Sequence, residues 1–216
     1  MNARIRIAVI TASLLIACSA PETRSNFLGS IERYEGEIPA GQWMRDIPVE
    51  YIVEGKIKSA RMQIYFPSNY KKSATRRTLI ALHNTGSDLR EWERNSRVVS
   101  NAERYGFVVV CPDMGVTLYE TKYYPETKRK WDDVPGGKWV GEVLIPFLRR
   151  RFTLASDKKH TAIVGISAVA RGAVLIAENY PDFFGAAGAL SGYFDPLSLS
   201  GSSLHSKVYG PQDKYA

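Results

Sequence analysis

The chain is 216 residues long, 44% hydrophobic and 24% charged, with a formal net charge of +7. That modest basic excess is carried in short runs such as Arg149-Arg150-Arg151 and Lys128-Arg129-Lys130. Such runs read as solvated faces, and no nucleic-acid-binding module is recognisable. His83, His160 and His205 fall in different predicted elements and no paired cysteines exist, so neither a metal site nor a cofactor is expected.

The chain opens with Arg4 and Arg6 followed by a largely apolar run from Ile7 to Ala17. This is the pattern of an export signal, too short to span a bilayer permanently. Leu15-Ile16-Ala17-Cys18 resembles the bacterial lipobox. The resemblance implies cleavage before Cys18, a lipid on its thiol and tethering of the mature chain to a membrane. Secretory cleavage near Ser19-Ala20 is the alternative. Residues 1–17 are thus expected as a signal peptide, 18–47 as a tether and irregular lead-in, and 48–216 as the folded domain. With Cys18 acylated no disulfide framework is available, and Cys111, inside an apolar run, reads as a small buried hydrophobe.

Pro48 to Glu54 and Ser59 to Phe66 show strand patterning, the second alternating through Met62, Ile64 and Phe66 before Pro67, and together they predict an edge hairpin. Thr78 to Leu82 is a buried strand leading into His83-Asn84-Thr85-Gly86. Asp88 to Arg104 has helix character, with Leu89, Trp92, Val99 and Ala102 on one side and Gly106 as its stop. Phe107 to Asp113 is a further strand. The segment from Gly115 to Gly137 carries Tyr119, Tyr123, Tyr124, Trp131, Asp132 and Asp133. Either it walls a cleft at the carboxyl edge of the sheet or its aromatics pack onto the domain. Lys138 to Phe152 returns to helix, with Val143, Leu144, Phe147 and Leu148 toward the core.

His160 to Gly172 reads His-Thr-Ala-Ile-Val-Gly-Ile-Ser-Ala-Val-Ala-Arg-Gly. An apolar parallel strand stops at a serine and resumes as a helix. Gly165, Ile166, Ser167 and Ala168 fit the nucleophile elbow Gly-x-Ser-x-Gly, in which a strained turn exposes the serine hydroxyl above the sheet. The last glycine is Val169, a β-branched side chain expected to add strain to the turn. Tyr180-Pro181-Asp182-Phe183-Phe184 and Gly188-Ala189-Leu190-Ser191-Gly192 follow. From Gly165 to Gly192 the sequence resembles the esterase D family of α/β hydrolases.

The resemblance implies a mostly parallel α/β-hydrolase sheet with an antiparallel N-terminal hairpin and flanking helices. It also implies hydrolysis of a small carboxylic ester by Ser167 through an acyl-serine intermediate. By similarity to the family's His-Gly-x-Gly loop, the Thr85 and Ala168 N–H groups form the oxyanion hole. Asn84 stands where glycine is usual, and is the ordinary residue that best tolerates a positive φ. His83 is expected to brace the loop.

In this fold the acid and the histidine follow the serine in the chain. Asp195 and His205 have that order. However, Ser198 to Ser206 lacks strand patterning, so His205 is expected to sit on no rigid element that could aim it at Ser167. About 26 residues follow Leu190, whereas one strand-helix-strand unit takes roughly thirty or more. The expectation is a domain without the last family strands, weak or inactive as an esterase. The competing expectation is a non-catalytic surface lipoprotein.

Overall fold

The computed structural model describes residues 31–71, 76–124, 134–195, 203–211 and 213. Cys18, the export signal, Lys128-Arg129-Lys130, Trp131, Asp132 and Asp133 lie outside the described residues. Strands β1 (Gln42–Val53) and β2 (Lys56–Phe66) form the hairpin expected at the edge. They are joined by Glu54 and Gly55 at φ 51° and 76°, the two positive values that a two-residue turn with native strand twist requires.

β1 begins at Gln42, six residues before the expected start at Pro48. The register shifts between Met44 and Ile47 and Asp46 sits at φ 50°. This bulge breaks the two-residue alternation by which the strand would have been read.

Four further strands complete the sheet: β3 (Arg77–Ala81), β4 (Phe107–Asp113), β5 (Thr161–Ile166) and β6 (Ala186–Leu190). Among the described residues the order is β1-β2-β4-β3-β5-β6. β2 pairs antiparallel with β4, while β4, β3, β5 and β6 run parallel. This is the mostly parallel sheet with an antiparallel N-terminal hairpin that the sequence predicts.

Alternation sorts the side chains into two layers. Met62, Ile64, Phe66, Ile80, Val108, Val110 and Ile163 enter one core. Tyr65, Ala81, Val109 and Cys111 enter the other. Burial pushes the Cys111 thiol pKa up, so it stays protonated.

The second layer is covered by α1 (Glu91–Asn95) and α2 (Val98–Tyr105). These replace the single helix expected over Asp88 to Arg104. Ser96 breaks it: its hydroxyl donates to the Trp92 carbonyl and accepts the Val98 N–H at 3.1 Å. Serine thereby ends one helix and starts the next. Gly106 stops α2 at φ 64°, as predicted.

The first layer is covered by α3 (Gly136–Trp139), a π-helical turn (Val140–Leu144), α4 (Ile145–Phe152) and α5 (Ala170–Asn179). Pro146 has no N–H to give the Glu142 carbonyl, and the wider turn just before it accommodates that gap. Val143, Leu144, Phe147 and Leu148 are buried as expected. The lead-in also docks: the Tyr34 N–H donates to the Arg151 carbonyl at 2.7 Å, and its ring lies 5.5 Å from that of Phe152. A last helix, α6 (Ser203–Tyr209), follows β6.

Candidate active site

β5 runs extended to Ile166 (φ −126°, ψ 146°). Ser167 then turns left-handed at φ 55°, and by Ala170 the backbone is helical (φ −60°, ψ −41°). A non-glycine residue held at positive φ is strained, and its neighbours must over-determine it. They do so at Gly165: a Cβ there would lie 2.4 Å from the Val169 carbonyl oxygen. Only glycine lets β5 and the start of α5 approach this closely. Ser167 is half-buried at the carboxyl end of a parallel strand, the edge at which ligands meet such sheets.

Val169 does not strain the turn in the way its β-branch suggests. Its φ is −98°, ordinary for an L-residue, and its side chain is fully buried in the first core layer. The strained residue is the serine.

The loop after β3, the strand paired in parallel with β5, is braced by its histidine as expected. His83 is fully buried and its Nδ1 lies 2.9 Å from the Asn84 carbonyl oxygen. Its Nε2 lies 3.8 Å from Asp113 Oδ1, beyond hydrogen-bond reach. The Tyr119 ring packs edge-on to it at 5.8 Å.

Asn84 departs from expectation, since it is not among the residues at positive φ. Its side chain turns onto its neighbour instead, and Asn84 Oδ1 accepts the Thr85 N–H at 2.8 Å. The predicted oxyanion donor is therefore engaged within the loop. Among the described residues the Ala168 N–H has no such acceptor.

The segment after β4 divides between the two alternatives: Tyr119 and Tyr124 follow packing, whereas Tyr123 lines a pocket with Tyr51, Lys138 and Trp139. Tyr119 is fully buried, and Tyr124 packs edge-on to Tyr209 at 4.9 Å. The same segment presents Glu120, nearly buried, as the acceptor at which three elements meet. Glu120 Oε1 accepts from Arg171 of α5 and from the Tyr209 hydroxyl of α6; Oε2 accepts the Tyr124 hydroxyl at 3.0 Å. Arg171 also donates to the Tyr209 oxygen at 3.1 Å. Burial disfavours the charged guanidinium, but Glu120 and the phenols outweigh it and raise the Arg171 pKa. Burial and then Glu120 push the Tyr209 phenol up. Nothing in the sequence marks this cluster, because its members are dispersed and each is common as a surface residue.

The cluster corrects the expectation for His205. That residue lies on a regular helix, is 5% exposed, and its Nδ1 has no hydrogen-bond partner among the described residues. Val208 and Tyr209 of the same helix join Leu118 in a small core against which Ala168, the residue after the serine, packs. Burial lowers the His205 pKa, with Glu120 opposing and Arg171 adding to the shift. Asp195 is exposed. Among the described residues no hydrogen bond joins His205 to Ser167.

A family model described as "Putative esterase" matches residues 57–215. The MPT51 antigen of Mycobacterium leprae is 25% identical over 198 residues, which cover 92% of this chain and 56% of that protein. The chain spans about half the length of the curated relatives it matches. An S-formylglutathione hydrolase from Agrobacterium tumefaciens superposes with a TM-score of 0.63 at 18% identity, covering 82% of this chain and 69% of that one. The fluorophosphonate-binding serine hydrolase F of Staphylococcus aureus gives 0.59 at 18%, covering 78% and 66%. At these identities the two structures establish the fold alone, which is that of an α/β hydrolase.

Proposed function

From the premise that the chain belongs to the esterase family, we propose that it is a serine hydrolase acting slowly on small carboxylic esters. The observation that carries this is Ser167 at φ 55°, held there by the close approach of Gly165 and Val169. That is the geometry of a nucleophile elbow.

In the proposed reaction Ser167 Oγ bonds to the ester carbonyl carbon while its proton passes to the neutral imidazole of His205. The carbonyl oxygen becomes an oxyanion held by the Ala168 N–H. Collapse breaks the bond to the alkoxy oxygen, which leaves as the alcohol with the proton from His205. Water then attacks the acyl-serine and gives a proton to His205; collapse breaks the bond to Ser167 Oγ, which takes that proton back as the acid leaves. His205 is supported by its burial, its unpartnered Nδ1 and the packing of its helix beside Ala168. Substrate binding would have to bring the two side chains together, since they share no hydrogen bond.

The test is turnover of an aryl acetate together with labelling by a fluorophosphonate probe. Slow turnover and labelling that both vanish in Ser167→Ala are expected. Labelling that persists in that variant, or is absent from the unmodified chain, overturns the proposal.

A second reading, a non-catalytic surface lipoprotein, is favoured by one observation: the Thr85 N–H is already satisfied by Asn84. Under either reading we place the chain outside the cytoplasm, exported and held at a membrane by lipid on Cys18. Arg4, Arg6 and Leu15-Ile16-Ala17-Cys18 support this. Secretion without an anchor is the alternative.

A further inference from the structure

The loop from His83 to Ser87 holds Asn84 from both sides. Its N–H donates to Glu91 Oε2, at the first turn of α1. Its carbonyl accepts the Ser87 N–H at 2.9 Å and lies 2.9 Å from His83 Nδ1. With the backbone fixed at both ends, the side-chain torsions remain the freedom of this residue. They are set so that Oδ1 takes the Thr85 N–H at 2.8 Å. A glycine at this position would leave that N–H open.

We propose that Asn84 is a latch on the oxyanion site. Its carboxamide oxygen occupies the acceptor position on the Thr85 N–H in the resting chain, and must rotate away before a developing oxyanion can take that donor. An amide oxygen is a neutral acceptor and an oxyanion a charged one. Charge-assisted hydrogen bonds are roughly twice as strong as neutral ones, so the transition state displaces the latch more readily than a ground-state ester carbonyl does. The latch therefore discriminates against weak carbonyl acceptors and slows acylation without blocking it. The Thr85 side chain, unlike its N–H, is unsatisfied: its Oγ1 is buried without a hydrogen-bond partner among the described residues. Partly exposed Asn84 has room to move, whereas Thr85 is nearly buried. The inference rests on the proposed esterase reaction at Ser167, to which it adds the Thr85 N–H as a second oxyanion donor once Asn84 releases it.

Two readouts on the full chain test it separately from that proposal. The first is the rate of fluorophosphonate labelling at Ser167 in the unmodified chain, Asn84→Ala and Asn84→Asp. Removing one competing hydrogen bond of ordinary strength should speed labelling of Asn84→Ala by roughly tenfold. Asn84→Asp keeps the shape and holds the N–H more tightly, so it should label more slowly than the unmodified chain. Labelling of Asn84→Ala that is equal to or slower than that of the unmodified chain overturns the latch.

The second readout is hydrogen exchange of the Thr85 amide by NMR, which needs no activity. Exchange should quicken in Asn84→Ala and slow in Asn84→Asp; no change in either variant overturns the latch. If Ser167 is labelled in no variant, the esterase proposal fails while the Thr85 amide still decides the fate of the latch. Should Asn84→Ala fail to fold, the Asn84→Asp arm carries both readouts.

Discussion

A Cβ placed on Gly165 would lie 2.4 Å from the carbonyl oxygen of Val169, closer than real contacts allow. The strand that delivers Ser167 and the helix that follows it are therefore packed backbone against backbone, with no side chain between them. Gly165→Ala should force that turn open and destabilise the fold by about 2 kcal/mol or more. Gly86→Ala, where a Cβ meets nothing within 4 Å, is the matched control and should stay within about 0.5 kcal/mol. Urea midpoints of the two variants check the contrast.

Val169→Gly would restore the glycine of the elbow motif, yet it should neither relieve strain nor raise activity. The valine already has a negative φ and is fully buried among core residues. Removing it forfeits that burial and adds glycine's backbone entropy, together roughly 3 kcal/mol. A lower melting temperature with no gain in aryl acetate turnover is expected. A stabilised or more active variant would contradict the assignment of strain to Ser167.

The elbow was legible because it is local: a β-favouring run, a small residue, a serine and a helical pattern lie consecutively in the chain. The sheet was legible for the same reason, strand by strand. What escaped was decided by contacts between distant segments or by a side chain choosing a backbone partner. The bulge at Asp46 hid the start of β1, and Ser96 split one predicted helix into two by bonding Trp92 and Val98. Asn84 was expected to accept a positive φ, but its carboxamide found the adjacent N–H instead. His205 looked unsupported because Ser198 to Ser206 has no pattern. Its helix instead joins Glu120 and Arg171 through Tyr209, residues far away in the chain.

His205 gives a pH dependence whose sign follows from its burial. Its folded pKa is lowered from the ordinary 6.5, with desolvation the largest cause, Glu120 opposing and Arg171 adding. Between the lowered value and 6.5 the folded chain binds fewer protons than the unfolded one, so stability rises with pH through that window. The contribution is complete above about 6.5 and is lost as pH falls through the folded value. Melting temperatures at pH 7.5 and pH 5 should differ less in His205→Gln than in the unmodified chain. The same depressed pKa keeps the imidazole available as a base below pH 6.5, so any acidic limb in the rate profile should lie below that pH.

Lipidation provides a test independent of the fold. Radiolabelled fatty acid should enter the chain in a bacterial host and fail to enter Cys18→Ala. Incorporation that survives the substitution would place the lipid elsewhere or refute the anchor.

Glu120 is the most consequential single residue outside the elbow, because three elements depend on one carboxylate. Arg171 comes one helical turn after Ser167, Tyr209 comes from the helix that carries His205, and Tyr124 comes from the segment after β4. The ion pair is largely shielded, with side-chain exposures of 7% for Glu120 and 20% for Arg171. Glu120→Ala would leave that guanidinium beside two phenols with no counter-charge, a loss of about 3 kcal/mol for a pair at this depth. Glu120→Gln keeps an acceptor for one donor at a time and should cost less. The effect should be local before it is global: amides of Ser203–Tyr209 should lose exchange protection first, while those of β3, β4 and β5 hold. If His205 is the base, turnover and labelling of Ser167 should fall in step with the undocking of α6. Retained protection of α6 in Glu120→Ala would show that its apolar packing on Leu118 and Tyr124 holds the helix without the carboxylate.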